Sequence, residues 1–280
     1  MTEPAGSGSS EAQASNHVAR ADRTGGPAHA GALVHDEAVM GTVCSFLVLP
    51  GAVPTEQVRA AIADACATLH QADATFSTWV DDSPLSRHRR GELPLEDCPD
   101  DVAEVLRLAA VARRATAGWF DPWALPGGVD PTGLVKGWAV ERAAGVLADA
   151  GVPGGLVNAG GDIATVGCAE GGDAWRIGIR HPWRPDALAC VLAVTGAVAT
   201  SGTYERGAHL IDPHTRTPWC AAASATVTGP SLALADAFAT ALAVGGDEAF
   251  DLIEAVGGYA CYLVRPDGTE RVGAGIDVRS

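Results

Sequence analysis

Lysine is almost absent from this chain: of its 19 basic residues, 18 are arginine and one, Lys136, is lysine. Methionine is nearly as scarce, with Met40 the only one after Met1, and asparagine occurs only as Asn16 and Asn158. Cysteine is present but unclustered. The seven cysteines (44, 66, 98, 168, 190, 220 and 261) are odd in number and contain no C-x-x-C pair. Such spacing matches neither a disulfide framework nor a zinc motif, and reads as small buried residues in a reducing compartment. No run approaches the ~18 apolar residues of a membrane span. No basic segment followed by an apolar run opens the chain, so no signal peptide or anchor is read and the expected location is cytoplasmic. A net charge of −15 argues against non-specific binding to nucleic acid or anionic membranes. G-x-G-x-x-G, Walker and G-x-S-x-G motifs are also missing, which removes the standard dinucleotide, P-loop and serine-hydrolase readings.

What remains is a globular composition, 47% hydrophobic and 19% charged over 280 residues. Residues 1–34 have no periodicity and read as a disordered tail, leaving 35–280 as one domain. V-M-G-T-V-C-S-F-L-V-L reads as a strand with Gly41 inside it. Helices are expected over 55–73 and 100–117, from Lys136 to Ala150, and over 232–244 and 247–256. Short strands are expected over 156–158, 175–180, 188–194, 209–211 and 223–228, with a terminal hairpin after Tyr259. Strands and helices interleave without regular alternation, so the fold class is α+β, with mixed and largely antiparallel sheets packed against helices.

The scarce residues fall in glycine-flanked turns: Met40 in V-M-G-T, Lys136 after D-P-T-G-L-V, and Asn158 in N-A-G-G-D. A compact ammonium suits a phosphate at a crowded junction where a planar guanidinium does not fit. Gly160 and Gly161 let backbone N–H groups approach an anion or a flat ring, or simply make a tight turn. Asp236 and Thr240 stand i and i+4 on an otherwise apolar helix, so both can face one spot and offer hard oxygen ligands to Mg²⁺. The alternative is a surface Asp and a Thr bonded to its own helix. His209 beside Asp212 reads either as a general base for an alcohol or as a structural histidine.

Taken in order, these pieces resemble the FAD:protein FMN transferases, the ApbE-like family. The resemblance runs from Val39 to Gly246 and adds F-S-T-W before S-P-L-S-R, G-W-F-D-P, A-V-A-T-S-G-T-Y-E-R and H-L-I-D-P. It implies Mg²⁺-dependent transfer of FMN from FAD onto a threonine of an acceptor flavoprotein, with release of AMP. It also implies that Met40, Trp79, Trp119, Phe120, Asp121, Asp130, Lys136 and Ile211 contact FAD. Asn158, Gly160, Gly161 and Ser201 would line the cleft. Gly133, through its backbone oxygen, Asp236 and Thr240 would hold the metal. His209 would take the hydroxyl proton, with Asp162 as the fallback. The segment between Pro122 and Asp130 is shorter than the family's usual one. The family's acceptor motif is close to D-G-[S/A]-T, and this chain has only Asp267-Gly268-Thr269, so the acceptor is another protein. Two rival activities use the same residues: an FAD pyrophosphatase, with water replacing threonine, and a flavin carrier without turnover.

Overall fold

A computed structural model of the chain describes residues 31–125, 127–202, 210–276 and 278–279. The tail expected over 1–34 lies outside the described residues up to position 30, and among the described residues the first strand begins at Leu33. Instead of one strand with an internal glycine, the chain makes a hairpin of β1 (Leu33–Val39) and β2 (Thr42–Leu49). Val39 pairs with Thr42, so Met40 and Gly41 form the turn, with φ of 53° and 68°. Two positive φ angles in a two-residue hairpin loop are the type I′ pattern. Only Gly41 signals it in the sequence, because a methionine there costs about 1–2 kcal/mol.

Helix α1 (Thr55–Phe76) buries Val58, Ala61, Ile62, Ala65, Cys66 and Leu69, the stripe the sequence predicts, and continues past Asp73. In helix α2 (Pro84–Arg89) Ser83 Oγ accepts the Ser86 N–H at 3.0 Å, and Pro84 suits the first helical position. Helix α3 (Asp100–Ala115) ends in left-handed Ala117 (φ 48°) and Gly118 (φ 88°). Helix α4 (Thr132–Asp149) starts earlier than expected, which moves Lys136 from the helix start into its second turn. Leu134, Trp138, Val140, Ala143 and Leu147 of α4 are all buried, so this helix is enclosed on several sides.

Next come two hairpins, β3 (Gly154–Ala159) with β4 (Asp162–Gly167), and β5 (Trp175–His181) with β6 (Arg184–Val194). Strand β7 (Ala197–Gly202), the short pair β8 (Ile211–Asp212) and β9 (Thr217–Pro218), and β10 (Ser224–Gly229) follow. Helix α5 (Leu232–Glu254) joins the two expected helices across a break at Gly246 (φ 56°, ψ −128°). There the Ala243 carbonyl accepts the N–H groups of Ala221 and Ala222, at 2.8 and 3.1 Å. Strands β11 (Ala260–Val264), β12 (Glu270–Val272) and β13 (Val278–Arg279) complete the chain. Glu141 of α4 ties the start of α5 by accepting from Ser231 Oγ at 2.9 Å and from the Ala233 N–H at 3.0 Å.

Eight strands form one antiparallel sheet in the order β1-β2-β3-β4-β7-β10-β11-β12. Helices α1, α4 and α5 cover one face through Val157, Ala159, Ala164, Ala197 and Ala199. The three-stranded sheet β13-β6-β5 covers the other through Leu156, Ile163, Val198 and Tyr262. Strand β3 is therefore buried at every residue, while outer β1 alternates. Because each step is antiparallel, the turns at 40–41 and 160–161, the end of β7 and the start of β10 share one end of the sheet.

Candidate active site

That sheet end is where the scarce residues meet. Gly160 and Gly161 close the β3–β4 hairpin at φ 60° and 101°. Asn158 Oδ1 accepts the Gly161 N–H at 3.0 Å, which holds the turn, and Asn158 itself is buried. A Cβ at Gly160 would lie 3.4 Å from Thr42 Oγ1, so this turn runs beside the Met40-Gly41 turn. Asp73 of α1 supports the latter: the Met40 N–H donates to Asp73 Oδ2 at 3.4 Å. Sequence reading missed Asp73; its only signal is an acid at the end of a long apolar stripe.

Asp162 opens β4 on the helix-facing side and is fully buried. Lys136 reaches it from α4, with Nζ 2.8 Å from Oδ2, while the Thr200 N–H donates to Oδ1 at 3.3 Å. The lone lysine is thus anchored between helix and sheet, with a quarter of its side chain exposed (24%). Ser201 lies one residue beyond Thr200 on β7.

The expected metal ligands also converge. Asp236 is buried at 4% exposure, which overturns the surface-residue alternative. The Gly137 N–H, which helix geometry aims at the Gly133 carbonyl, donates to Asp236 Oδ2 at 2.9 Å. A Cβ at Gly133 would lie 3.3 Å from both Thr240 Oγ1 and Phe120 Cε2. Carboxylate, hydroxyl and backbone carbonyl form an all-oxygen set, whose chemistry fits Mg²⁺ better than a softer ion.

Small residues at 133 and 137 allow this approach, a spacing the sequence displays. A Cβ at Gly137 would come within 2.5 Å of the Leu232 carbonyl and 2.8 Å of Asp236 Cβ. Gly137→Ala is accordingly expected to destabilise the fold by about 2–3 kcal/mol by overpacking and to displace Asp236. Gly145, exposed on the same helix with nothing within 4 Å of a Cβ, is the control. Gly145→Ala is expected to stabilise by about 0.5–1 kcal/mol. Denaturant unfolding of both variants checks the contrast.

The other residues expected to contact FAD have the following surroundings. Trp119 packs on Gly245 of α5, where a Cβ would come within 2.6 Å of its ring, and meets His214 edge-on at 4.5 Å between centroids. Ile211 stands on the β8–β9 hairpin that carries His214. Phe120 is buried. Asp121 accepts from Arg113 Nε at 2.6 Å and from the Trp123 N–H at 3.0 Å. Asp130 Oδ1 accepts from the N–H and hydroxyl of Thr132 at 3.1 and 2.7 Å, fixing the start of α4. Arg89 braces the short segment before it, 3.6 Å from Asp130 and 3.3 Å from the Gly127 carbonyl. Trp79 stands apart, 95% exposed in the loop before α2.

His209, the first residue of the strand expected over 209–211, lies outside the described residues. Asp212, read as its carboxylate neighbour, serves the β8–β9 turn, accepting from the His214 N–H at 2.8 Å and Thr215 Oγ1 at 2.9 Å. Burial raises the Asp212 acid, but the hydrogen bonds from His214 and Thr215 and the His214 ring beside it together hold it below the usual carboxylate range. Among the described residues no helix is long and apolar enough to cross a membrane.

The fold matches solved ApbE structures. An ApbE protein of Thermotoga maritima superimposes with a TM-score of 0.76 at 20% identity, covering 87% of this chain and 97% of that one. The flavin transferase ApbE of Vibrio cholerae gives 0.74 at 22% identity, with the same coverage. An FAD:protein FMN transferase of Rhodobacter capsulatus is 35% identical over 151 residues, 50% of this chain and 29% of that protein. The protein of the same name from Escherichia coli (strain K12) is 30% identical over 151 residues, 50% and 43% of the two chains. The chain thus spans less than half the length of these curated relatives. The ApbE family model matches residues 40–128 and 125–263, most of the chain, and the protein belongs to the ApbE family.

Proposed function

We propose that this protein is a Mg²⁺-dependent FAD:protein FMN transferase acting on a threonine of an acceptor flavoprotein that carries a D-G-[S/A]-T-like motif. The observation that carries the reading is the meeting of the Lys136–Asp162 pair, 2.8 Å apart, with the two glycine turns at one sheet end. Beside them, the α4–α5 contact gathers oxygen donors around Asp236. Family membership and the names of the relatives support the same activity.

The acceptor hydroxyl attacks the phosphorus on the FMN side of the FAD pyrophosphate. A new P–O bond forms to the threonine, the bond to the AMP phosphate breaks, and the hydroxyl proton passes to a base. Gly133, Asp236 and Thr240 would hold Mg²⁺, which when bound neutralises charge on the pyrophosphate. Lys136 adds a fixed positive charge, oriented by Asp162, where the leaving AMP phosphate gains negative charge. Asp162 is enclosed and engaged at both oxygens, so it positions the lysine, and His209 takes the proton. The backbone of 158–161 and the Trp119–His214 wall shape the flavin nucleotide's seat.

The test is incubation with FAD and Mg²⁺, with and without a D-G-A-T-bearing acceptor, reading covalent flavin fluorescence and AMP together. A fluorescent acceptor and EDTA-sensitive AMP are expected. AMP formed equally without an acceptor would replace the transferase with a pyrophosphatase. FAD binding with neither product would replace it with a carrier.

A further inference from the structure

The seam between β1 and α1 carries a second constellation, outside the cleft. Strand β1 alternates, so His35 and Glu37 turn inward while Val34, Asp36 and Ala38 are exposed. Cys66 and His70 stand i and i+4 on α1, on one helix face. Glu37 lies between the imidazoles: Oε2 is 3.1 Å from His35 Nε2 and Oε1 is 2.8 Å from His70 Nε2. The ligand atoms of His35, Glu37 and Cys66 all fall within 4.8 Å of one another, a grouping found nowhere else among the described residues. Both imidazoles are open to solvent (41% and 52% exposed), Glu37 is partly covered, and Cys66 closes the back at 8%.

We propose that His35, Glu37, Cys66 and His70 form a zinc site that pins β1 to α1. The Cys66 thiol also hydrogen-bonds Glu37, so one carboxylate gathers two imidazoles and a sulfur around it. Two imidazoles, one sulfur and one carboxylate suit borderline-soft Zn²⁺, whereas Mg²⁺ prefers oxygen alone. Zn–N and Zn–S bonds of about 2.0–2.3 Å place tetrahedral ligand atoms roughly 3.3–3.8 Å apart. For His35, Glu37 and Cys66 the 3.1 Å contact and the 4.8 Å outer limit bracket that spacing, while His70, 2.8 Å from Glu37 but outside that grouping, must swing inward to become the fourth ligand.

Hydrogen bonds from His70 and His35 keep the Glu37 acid below its usual range. Burial, with Glu37 adding to it, pushes the Cys66 thiol up to about 11, so the metal must displace a proton to bind sulfur. Cys44, cross-strand from Glu37, is fully buried and raised to about 12, chiefly by burial, and stays a thiol behind the site. The consequence reaches the cleft through α1, because Asp73, on the next turn after His70, holds the Met40 N–H. Zinc at the seam would stiffen the support of that left-handed turn.

The experiment is a Co²⁺ titration of tag-free, chelator-stripped full chain in excess Mg²⁺, which occupies oxygen sites and leaves nitrogen–sulfur sites open. One equivalent should develop a thiolate-to-cobalt charge-transfer band that Zn²⁺ bleaches. Cys66→Ser should abolish the band, and Glu37→Gln and His70→Ala should weaken Co²⁺ binding tenfold or more. Zn²⁺ should raise the thermal midpoint of the wild-type chain and leave that of the variants unmoved. No band at one equivalent, or a band that survives Cys66→Ser, overturns the site. If Cys66→Ser does not fold, unweakened Co²⁺ binding by Glu37→Gln, at a partly exposed position, overturns it equally.

Discussion

Asp236→Asn is expected to lower Mg²⁺-dependent FMN transfer by about a thousandfold, equivalent to roughly 4 kcal/mol of transition-state stabilisation, while leaving the fold intact. The amide keeps the volume of the carboxylate and an oxygen to accept the Gly137 N–H, now 2.9 Å from Oδ2. Only the negative charge that a hard cation requires is lost. Asp236→Ala should lose the activity and also destabilise by about 1–3 kcal/mol, because a donor between α4 and α5 goes unmet. Steady-state rates against Mg²⁺ concentration, read beside thermal unfolding, separate the two effects. An Asn variant that turns over at near wild-type rate with unchanged Mg²⁺ dependence would remove Asp236 from the metal site.

Lys136→Met should be the most destabilising change in the cleft. Asp162 is fully buried, and Lys136 Nζ at 2.8 Å is its cation. Leaving a buried carboxylate without its partner costs about 3–5 kcal/mol. Removing both charges is a different matter, since a buried pair replaced by neutral groups of similar volume is often close to neutral. The double variant Lys136→Met/Asp162→Asn should therefore regain most of the stability and none of the activity. Lys136→Arg should keep the charge but not the fit, because the guanidinium fork is larger and planar. Urea unfolding of the double-mutant cycle measures the coupling. A single Lys136→Met variant destabilised by less than about 1 kcal/mol would mean that the pair is not the buried charge contact described.

Short-range patterns in the chain were sufficient for most of its helices. The α1 stripe, the glycine stop after α3, the Ser231 cap and the glycine break in α5 are encoded within a few residues of where they act. Strands were harder. Residues 162–167 and 197–202 escaped sequence reading because they are covered on both faces or nearly so, and lack the alternation that marks a half-buried strand. The turn at Met40 escaped because its strained residue is not one that favours positive φ.

Residue identities and i,i+4 spacing were enough to single out Lys136, Asn158, Asp236 and Thr240 and to indicate oxygen ligation and a phosphate-bearing ligand. Roles that depend on distant partners were not available from spacing. Asp162 was read as a spare base, yet its burial and its bond to Lys136, 26 positions earlier, make it the lysine's anchor. Gly137 reads as an ordinary helix residue until α5 comes to lie against it, 99 positions later at Asp236. The cysteine spacing shows no zinc motif, because His35 and Glu37 repeat at the strand period of two and Cys66 and His70 at the helix period of four. Local sequence determined which groups were present and which face of their own element they occupied. Only tertiary packing, by crossing α4 over α5 and laying β1 along α1, decided which of them share a site.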